Sequence, residues 1–115
     1  MKSKTRLVYF NGKFIPEQEA KVSIYDSALM FGDMVFEMTR SFRKKHFKLK
    51  EHIDRLYSGM KILRINPNMT KDKMYKACLE TCKVNEHLFG KDEEHRLMIE
   101  VSRGLLGIYH NIDQW

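Results

Sequence analysis

Two hydrophobic periods divide this chain. Up to about Leu49 the apolar positions come in short runs and alternations, and from about Lys50 they recur every three to four residues. Leu7 to Phe10 reads as a strand, and Asn11-Gly12 is the two-residue turn that returns it through Lys13-Phe14-Ile15. Val22 to Tyr25 alternates weakly and runs into Asp26-Ser27. After Gly32-Asp33 a longer alternation sets Met34, Phe36, Met38 and Arg40 against Val35, Glu37, Thr39 and Ser41, which predicts a strand with one well-buried face. Arg43-Lys44-Lys45 then reads as a charged hairpin tip leading into His46 to Leu49.

The second period begins with Ile53, Leu56, Tyr57, Met60 and Leu63, the apolar stripe of a helix ending near Arg64. Asn66-Pro67-Asn68 breaks the chain, and Thr70 is placed to cap a second helix carrying Met74, Tyr75, Cys78, Leu79 and Cys82. Gly90 closes that region, and Arg96 to Val101 predicts a returning strand before Ser102-Arg103-Gly104. Strands, then helices, then a strand predict an α+β fold: a mostly antiparallel sheet with two helices packed on one face.

Composition narrows the picture. The chain of 115 residues suits one domain, and 43% apolar against 31% charged residues is the balance of a folded chain. The apolar runs, such as Leu7–Phe10 and Ala28–Phe31, fall far short of the ~20 residues of a membrane span. The basic start, Met1 to Arg6, is not followed by a signal-peptide core. Cys78 and Cys82, four apart on one helix face, read as core thiols, so a cytoplasmic setting is expected. The stretch from Leu105 to Trp115 is apolar and lacks a stop signal, so the end reads as that of a fragment.

Charge and chemistry come next. The net charge of +6 gathers partly at Arg43, Lys44, Lys45, Lys48 and Lys50, with no nucleic-acid motif beside it, so a solvated hairpin is the expectation. The five histidines show no metal-ligand spacing in the sequence, His87 is the nearest to the cysteines, and no metal is expected. Arg55 lies on the flank of the first helix. Its guanidinium suits a phosphate, and it equally suits an ion pair with a neighbouring acid such as Glu51.

Four ordered blocks then stand out: Asn11 to Ile15; Asp26 to Glu37; Glu51-His52-Ile53-Asp54-Arg55-Leu56; and Lys61 to Ile65. With Ser102-Arg103-Gly104 they span about Val8 to Gly104. In this order they resemble the class IV pyridoxal-phosphate enzymes, namely the branched-chain and D-amino-acid aminotransferases and the aminodeoxychorismate lyases. The resemblance implies that residues 1–115 form the N-terminal small domain. A larger domain beyond Trp115 would carry the Schiff-base lysine and the acid that pairs with the pyridine nitrogen. It implies pyridoxal 5′-phosphate as cofactor with Arg55 on its phosphate, amino-acid and 2-oxo-acid substrates, and a homodimer, with neither nucleic acid nor membrane as partner. Phe31, Phe36, Met38 and Arg40 match pocket-lining positions, and Arg96 and His110 lie near others. For Phe31, Phe36 and Met38 plain core packing stays open beside that role, and Arg40, on the apolar side of its strand, calls for an anionic partner.

Departures from the pattern leave the subfamily open. Many branched-chain members have Tyr where this chain has Phe31, and Gly where it has Met34 or Met38. Met98 stands where branched-chain members place a pocket arginine, and Ile108 where D-amino-acid members carry one. On its own the chain is expected to be inactive. A lyase of the aminodeoxychorismate type and a non-catalytic interaction domain are the alternatives.

Overall fold

The computed structural model of the chain describes residues 4–109. Strand β1 (Leu7–Phe10) pairs antiparallel with β2 (Lys13–Pro16). Their Asn11-Gly12 turn has both residues at positive φ, 49° and 89°, the mirror-image turn whose twist suits a hairpin. A short helix α1 (Ser27–Phe31) follows, then β3 (Met34–Phe42), β4 (Lys45–His46), α2 (Leu49–Leu63), α3 (Lys71–Asn85) and β5 (Arg96–Ser102). The predicted α+β fold is therefore present, with its antiparallel strands divided between the β1–β2 hairpin and a separate three-stranded sheet ordered β4-β3-β5.

Local chemistry explains most boundaries. Helix α1 starts at Asp26, whose Oδ1 accepts from the Ala28 N–H at 2.9 Å, and stops at Gly32 with φ of 68°. The weak alternation at Val22 to Tyr25 forms no strand and leads into this helix instead. Thr70 caps α3 as expected, accepting from the Lys73 N–H. The β3–β4 turn puts Arg43 and Lys44 at positive φ, a conformation non-glycine residues adopt reluctantly. The Glu94 carboxylate holds it there, accepting from the Arg43 N–H at 2.7 Å, the Lys44 N–H at 3.0 Å and Ser41 Oγ at 2.7 Å. Those bonds, with the Lys44 N–H first, draw its pKa down to about 2. Lys44 Nζ adds bonds to the carbonyls of Gly90 and Glu93.

Helix α2 packs on β3, and α3 packs on α2 and against β1. Leu49, Ile53, Leu56 and Met60 of α2 form the centre of the core with Ile65, Met74, Cys78, Leu97 and Ile99. Where α2 meets the sheet, a Cβ on Gly59 would lie 3.1 Å from Val35 Cγ1, so the glycine permits the close approach. Asn85 ties the hairpin to α3 by acting as a piece of strand: Oδ1 accepts from the Leu7 N–H at 2.8 Å and Nδ2 donates to the Leu7 carbonyl at 2.9 Å. No helix among the described residues is long and apolar enough to cross a membrane.

One expectation is reversed. The alternation in β3 predicted a buried face, and the apolar set Met34, Phe36, Met38 was its natural candidate. The buried side chains are instead Glu37, Thr39 and Ser41, while Phe36 and Met38 remain 63% and 46% exposed. Alternation fixes that two faces exist but not which of them meets the helices. Here α2 supplies the partners of Glu37, while His46 of β4 answers Thr39 and the segment before β5, through Glu94 and the His95 N–H, answers Ser41.

The two faces differ in what they contribute to stability. Truncating Leu56, which is 1% exposed, to alanine is expected to lower the unfolding free energy by about 2–5 kcal/mol. Phe36→Ser on the open face is expected to change it by less than about 0.5 kcal/mol. Urea midpoints measured on both variants check the difference, and equal shifts would refute this assignment of faces.

Candidate functional site

Glu37 sits on the covered face of β3 and is almost wholly buried, opposite the first turns of α2. Its Oε2 accepts from Arg55 Nε at 2.7 Å, and its Oε1 accepts from Arg55 Nη2 and His52 Nδ1, each at 2.7 Å. His52 and Arg55 are three apart on α2, so one helix face presents both donors to the carboxylate. The Arg55 bonds hold the Glu37 carboxyl below its ordinary range, against the opposing effect of burial and with help from His52. The same pairing raises the pKa of Arg55.

Sequence reasoning placed Arg55 but missed Glu37 and His52. It offered Glu51 as the alternative partner, whereas the structure gives Arg55 an acid from β3, fifteen residues before His52. The helical spacing of His52 and Arg55 was the available signal, since it marks a face that presents two hydrogen-bond donors together. The arginine side chain itself is 74% exposed. Glu37 engages Nε and one hydrogen of Nη2, which leaves both hydrogens of Nη1 and the second of Nη2 for another oxyanion. A carboxylate-pinned guanidinium with a free outer edge fits a phosphate group, because its orientation is set before the anion arrives.

The predicted pocket residues lie elsewhere on the same sheet. Arg40 and Arg96 are directly opposed in the β3–β5 register, as are Met38 and Met98, while Phe36 faces Glu100. All are exposed, so Phe36, Met38, Arg40 and Arg96 are brought together on the open face of the sheet. The core-packing reading of Phe31, Phe36 and Met38 does not hold, as Phe31 also ends α1 with 66% exposure. Among the described residues Arg40 meets no buried carboxylate. Its guanidinium lies 4.6 Å from the Phe42 ring centroid, a cation–π contact on the surface. Glu37 points to the helix side between Phe36 and Met38, so the carboxylate that holds Arg55 alternates with the open-face residues along one strand. His110 lies outside the described residues.

The last block of the sequence has a positional role. Arg103 donates through Nε to Asp33 Oδ2 at 2.5 Å and through its Nη atoms to the carbonyls of Leu63 and Arg64, the C-terminal end of α2. Ser102 Oγ donates to Asp26 Oδ2 at 3.2 Å, and the Ser27 N–H reaches the Gly104 carbonyl at 2.9 Å. Asp26-Ser27 and Ser102-Arg103-Gly104, remote in sequence, thus interlock at the start of α1.

A second polar cluster was not foreseen. His46 follows the β3–β4 turn, His95 precedes β5 and Cys82 lies on α3, and a donor atom from each falls within 4.8 Å of the others. The histidines, unclustered in the sequence, converge with the cysteine through the sheet and α3.

Comparison with known proteins now decides the family. Residues 34–113 match the amino-transferase class IV family model. The chain belongs to the class IV amino-transferase family. It is 45% identical over 101 residues to a putative branched-chain-amino-acid aminotransferase of Methanocaldococcus jannaschii, covering 88% of this chain and 34% of that protein. It is 30% identical to a D-alanine aminotransferase of Staphylococcus haemolyticus, over 90% of this chain and 35% of the relative. Among solved structures, the branched-chain aminotransferase of the thermophilic archaeon Thermoproteus uzoniensis with norvaline superposes with a TM-score of 0.75 at 27% identity, over 85% of this chain and 33% of that one. The chain therefore spans about a third of the length of these relatives.

The class IV chain's Glu37 bonds set a pH dependence. A carboxyl held below its ordinary value of 4.5 stabilises the fold fully above that value, and the contribution disappears as pH falls through the depressed one. Glu37→Gln is expected to cost about 1–3 kcal/mol at pH 7 and to flatten the loss of stability between pH 5 and pH 3. Urea unfolding across that range is the check, and a variant as acid-sensitive as the parent would remove Glu37 from the account.

Proposed function

We propose that this chain is the N-terminal, small-domain portion of a pyridoxal-phosphate aminotransferase acting on amino acids, with Arg55 as the cofactor's phosphate ligand. The observation carrying this reading is the Glu37–Arg55 pairing, which fixes the guanidinium by Nε and Nη2 and leaves its outer edge free for an oxyanion. When bound, pyridoxal phosphate supplies the electron-withdrawing ring through which an amino group passes between an amino acid and a 2-oxo acid. Arg55 would anchor it, Glu37 would hold Arg55 in place, and His52 would complete the carboxylate's hydrogen bonds from the helix side.

The open sheet face supports the substrate part of the reading. Arg40 and Arg96 face each other across β3 and β5 as like charges, an arrangement that disfavours the bare sheet and favours a bound carboxylate. Phe36, Met38 and Met98 beside them offer an apolar wall. A carboxylate next to an apolar side chain describes a branched-chain amino acid or its 2-oxo acid, which is why the branched-chain type is preferred. Phe31 would extend that wall from α1.

The lysine that bonds the cofactor is not assigned to this chain. No lysine among the described residues is buried, whereas a Schiff-base lysine needs a desolvated setting. We place that lysine on a second, larger domain, make the 115-residue portion inactive alone, and expect the whole enzyme to form a homodimer in the cytoplasm.

The test uses the product of the whole gene, purified with pyridoxal phosphate. It is expected to retain the cofactor, to show a Schiff-base absorbance that borohydride fixes on a lysine outside residues 1–115, and to transfer amino groups rather than release pyruvate. Arg55→Leu is expected to weaken cofactor retention about 10- to 100-fold, with Arg55→Lys intermediate because it keeps the charge but not the fork. A product that neither holds the cofactor nor transfers amino groups would overturn the proposal, and pyruvate release would reassign it as a lyase.

A further inference from the structure

The His46–Cys82–His95 cluster lies outside the machinery just described and has features of a built site. His95 is 4% exposed, and neither of its ring nitrogens makes a hydrogen bond. Its Nε2 stands 3.2 Å from Glu86 Oε2, close enough for an ion pair but out of hydrogen-bond alignment. A buried imidazole whose nitrogens both lack hydrogen bonds is a group arranged for something other than a hydrogen bond.

His46 is oriented the way a metal-binding histidine is oriented. Thr39 Oγ1, on the buried face of β3, lies 2.6 Å from Nδ1, and Nδ1–H donating to it leaves the Nε2 lone pair facing Cys82 Sγ at 3.2 Å. In a tetrahedral zinc site with bonds of about 2.0–2.3 Å, neighbouring donor atoms lie roughly 3.3–3.6 Å apart. The Cys82–His46 pair, at 3.2 Å, stands within a few tenths of an ångström of that separation. The widest spacing in the cluster, at most 4.8 Å, closes with movement of roughly one ångström.

We propose that His46, Cys82 and His95 form a binding site for a borderline-soft divalent cation of the zinc type, with water in the fourth position. Two neutral imidazoles and a thiolate supply the donors, and the Glu86 carboxylate beside His95 offsets the remaining charge. Metal entry displaces the thiol proton of Cys82 as the sulfur–cation bond forms. A groove lined by Lys44, Lys45, Tyr75, Leu79 and Lys83 opens onto these residues and gives the ion a path from solvent. The three lysines oppose a cation at long range, which makes short-range ligation by sulfur and imidazole the source of affinity. The site rests on no assumption about pyridoxal phosphate.

Cobalt(II) titration of the reduced, tag-free 115-residue chain tests the proposal. One equivalent is expected to give a thiolate-to-cobalt charge-transfer band and intense visible bands of a tetrahedral ion, both abolished by zinc. Cys82→Ser is expected to lose the charge-transfer band, His95→Gln to lose tetrahedral intensity, and Cys78→Ser to keep both. Thr39→Val, which removes only the partner of His46 Nδ1, is expected to weaken binding about 10- to 100-fold. Zinc is expected to raise the melting temperature of the parent and not of the near-isosteric Cys82→Ser. Absence of the charge-transfer band at stoichiometric cobalt would overturn the site, as would a band that survives in Cys82→Ser.

Discussion

A carboxylate on the covered face of a strand has to be answered by hydrogen-bond donors, and the pairing of Glu37 with Arg55 and His52 sets much else in this domain. It fixes how α2 lies across β3, because both donors come from one face of the helix. The apolar residues of α2 then reach the core at Leu49, Ile53, Leu56 and Met60 while the polar flank stays at the carboxylate. An unanswered charge in that position would cost several kcal/mol, so helix placement and ion pairing are one constraint rather than two. The same bonds give the domain a rigid guanidinium at its surface.

A second clasp closes the opposite end of the helix. Arg103 bonds the last carbonyls of α2 and the carboxylate of Asp33, joining the end of β5 to the start of β3 and to the helix C-terminus. The Asp33 bond raises the pKa of Arg103 and so favours its charged form. Asp26 adds a third link by capping α1 with one carboxylate oxygen and accepting from Ser102 with the other. The residues that made the sequence recognisable as class IV are thus, in good part, those that hold the sheet, α1 and α2 in register.

Much of this was legible beforehand. The two helices, the Asn11-Gly12 hairpin, the Thr70 cap and the returning strand all follow from local signals that tertiary context did not overrule. Helix α1 went unread because five residues are too few to show a period, although Asp26 and Gly32 bracketed it. The site was legible only in part. Arg55 could be named, but Glu37 could not be assigned to it, since the pairing joins a strand to a helix across a hairpin. The His46–Cys82–His95 cluster drew its members from β4, α3 and the approach to β5, so no spacing along the chain could announce it.

The face assignment of β3 is the most informative difference. Glu37, Thr39 and Ser41 form a polar rail beneath the helices, and each side chain is put to use: Glu37 on Arg55 and His52, Thr39 on His46, Ser41 on Glu94 and the His95 N–H. A strand that only had to stabilise a small domain would turn Phe36 and Met38 inward and leave its polar residues in water, at a gain of about 1.5–3 kcal/mol for each large apolar side chain buried. This strand does the reverse and forgoes that gain. An apolar face kept outward at such a cost, with two opposed arginines on it, is a surface shaped for something to lie against it. The buried rail and the open wall are therefore two consequences of one choice of register, which keeps the residues that orient groups on one side of the strand and the exposed apolar and arginine side chains on the other.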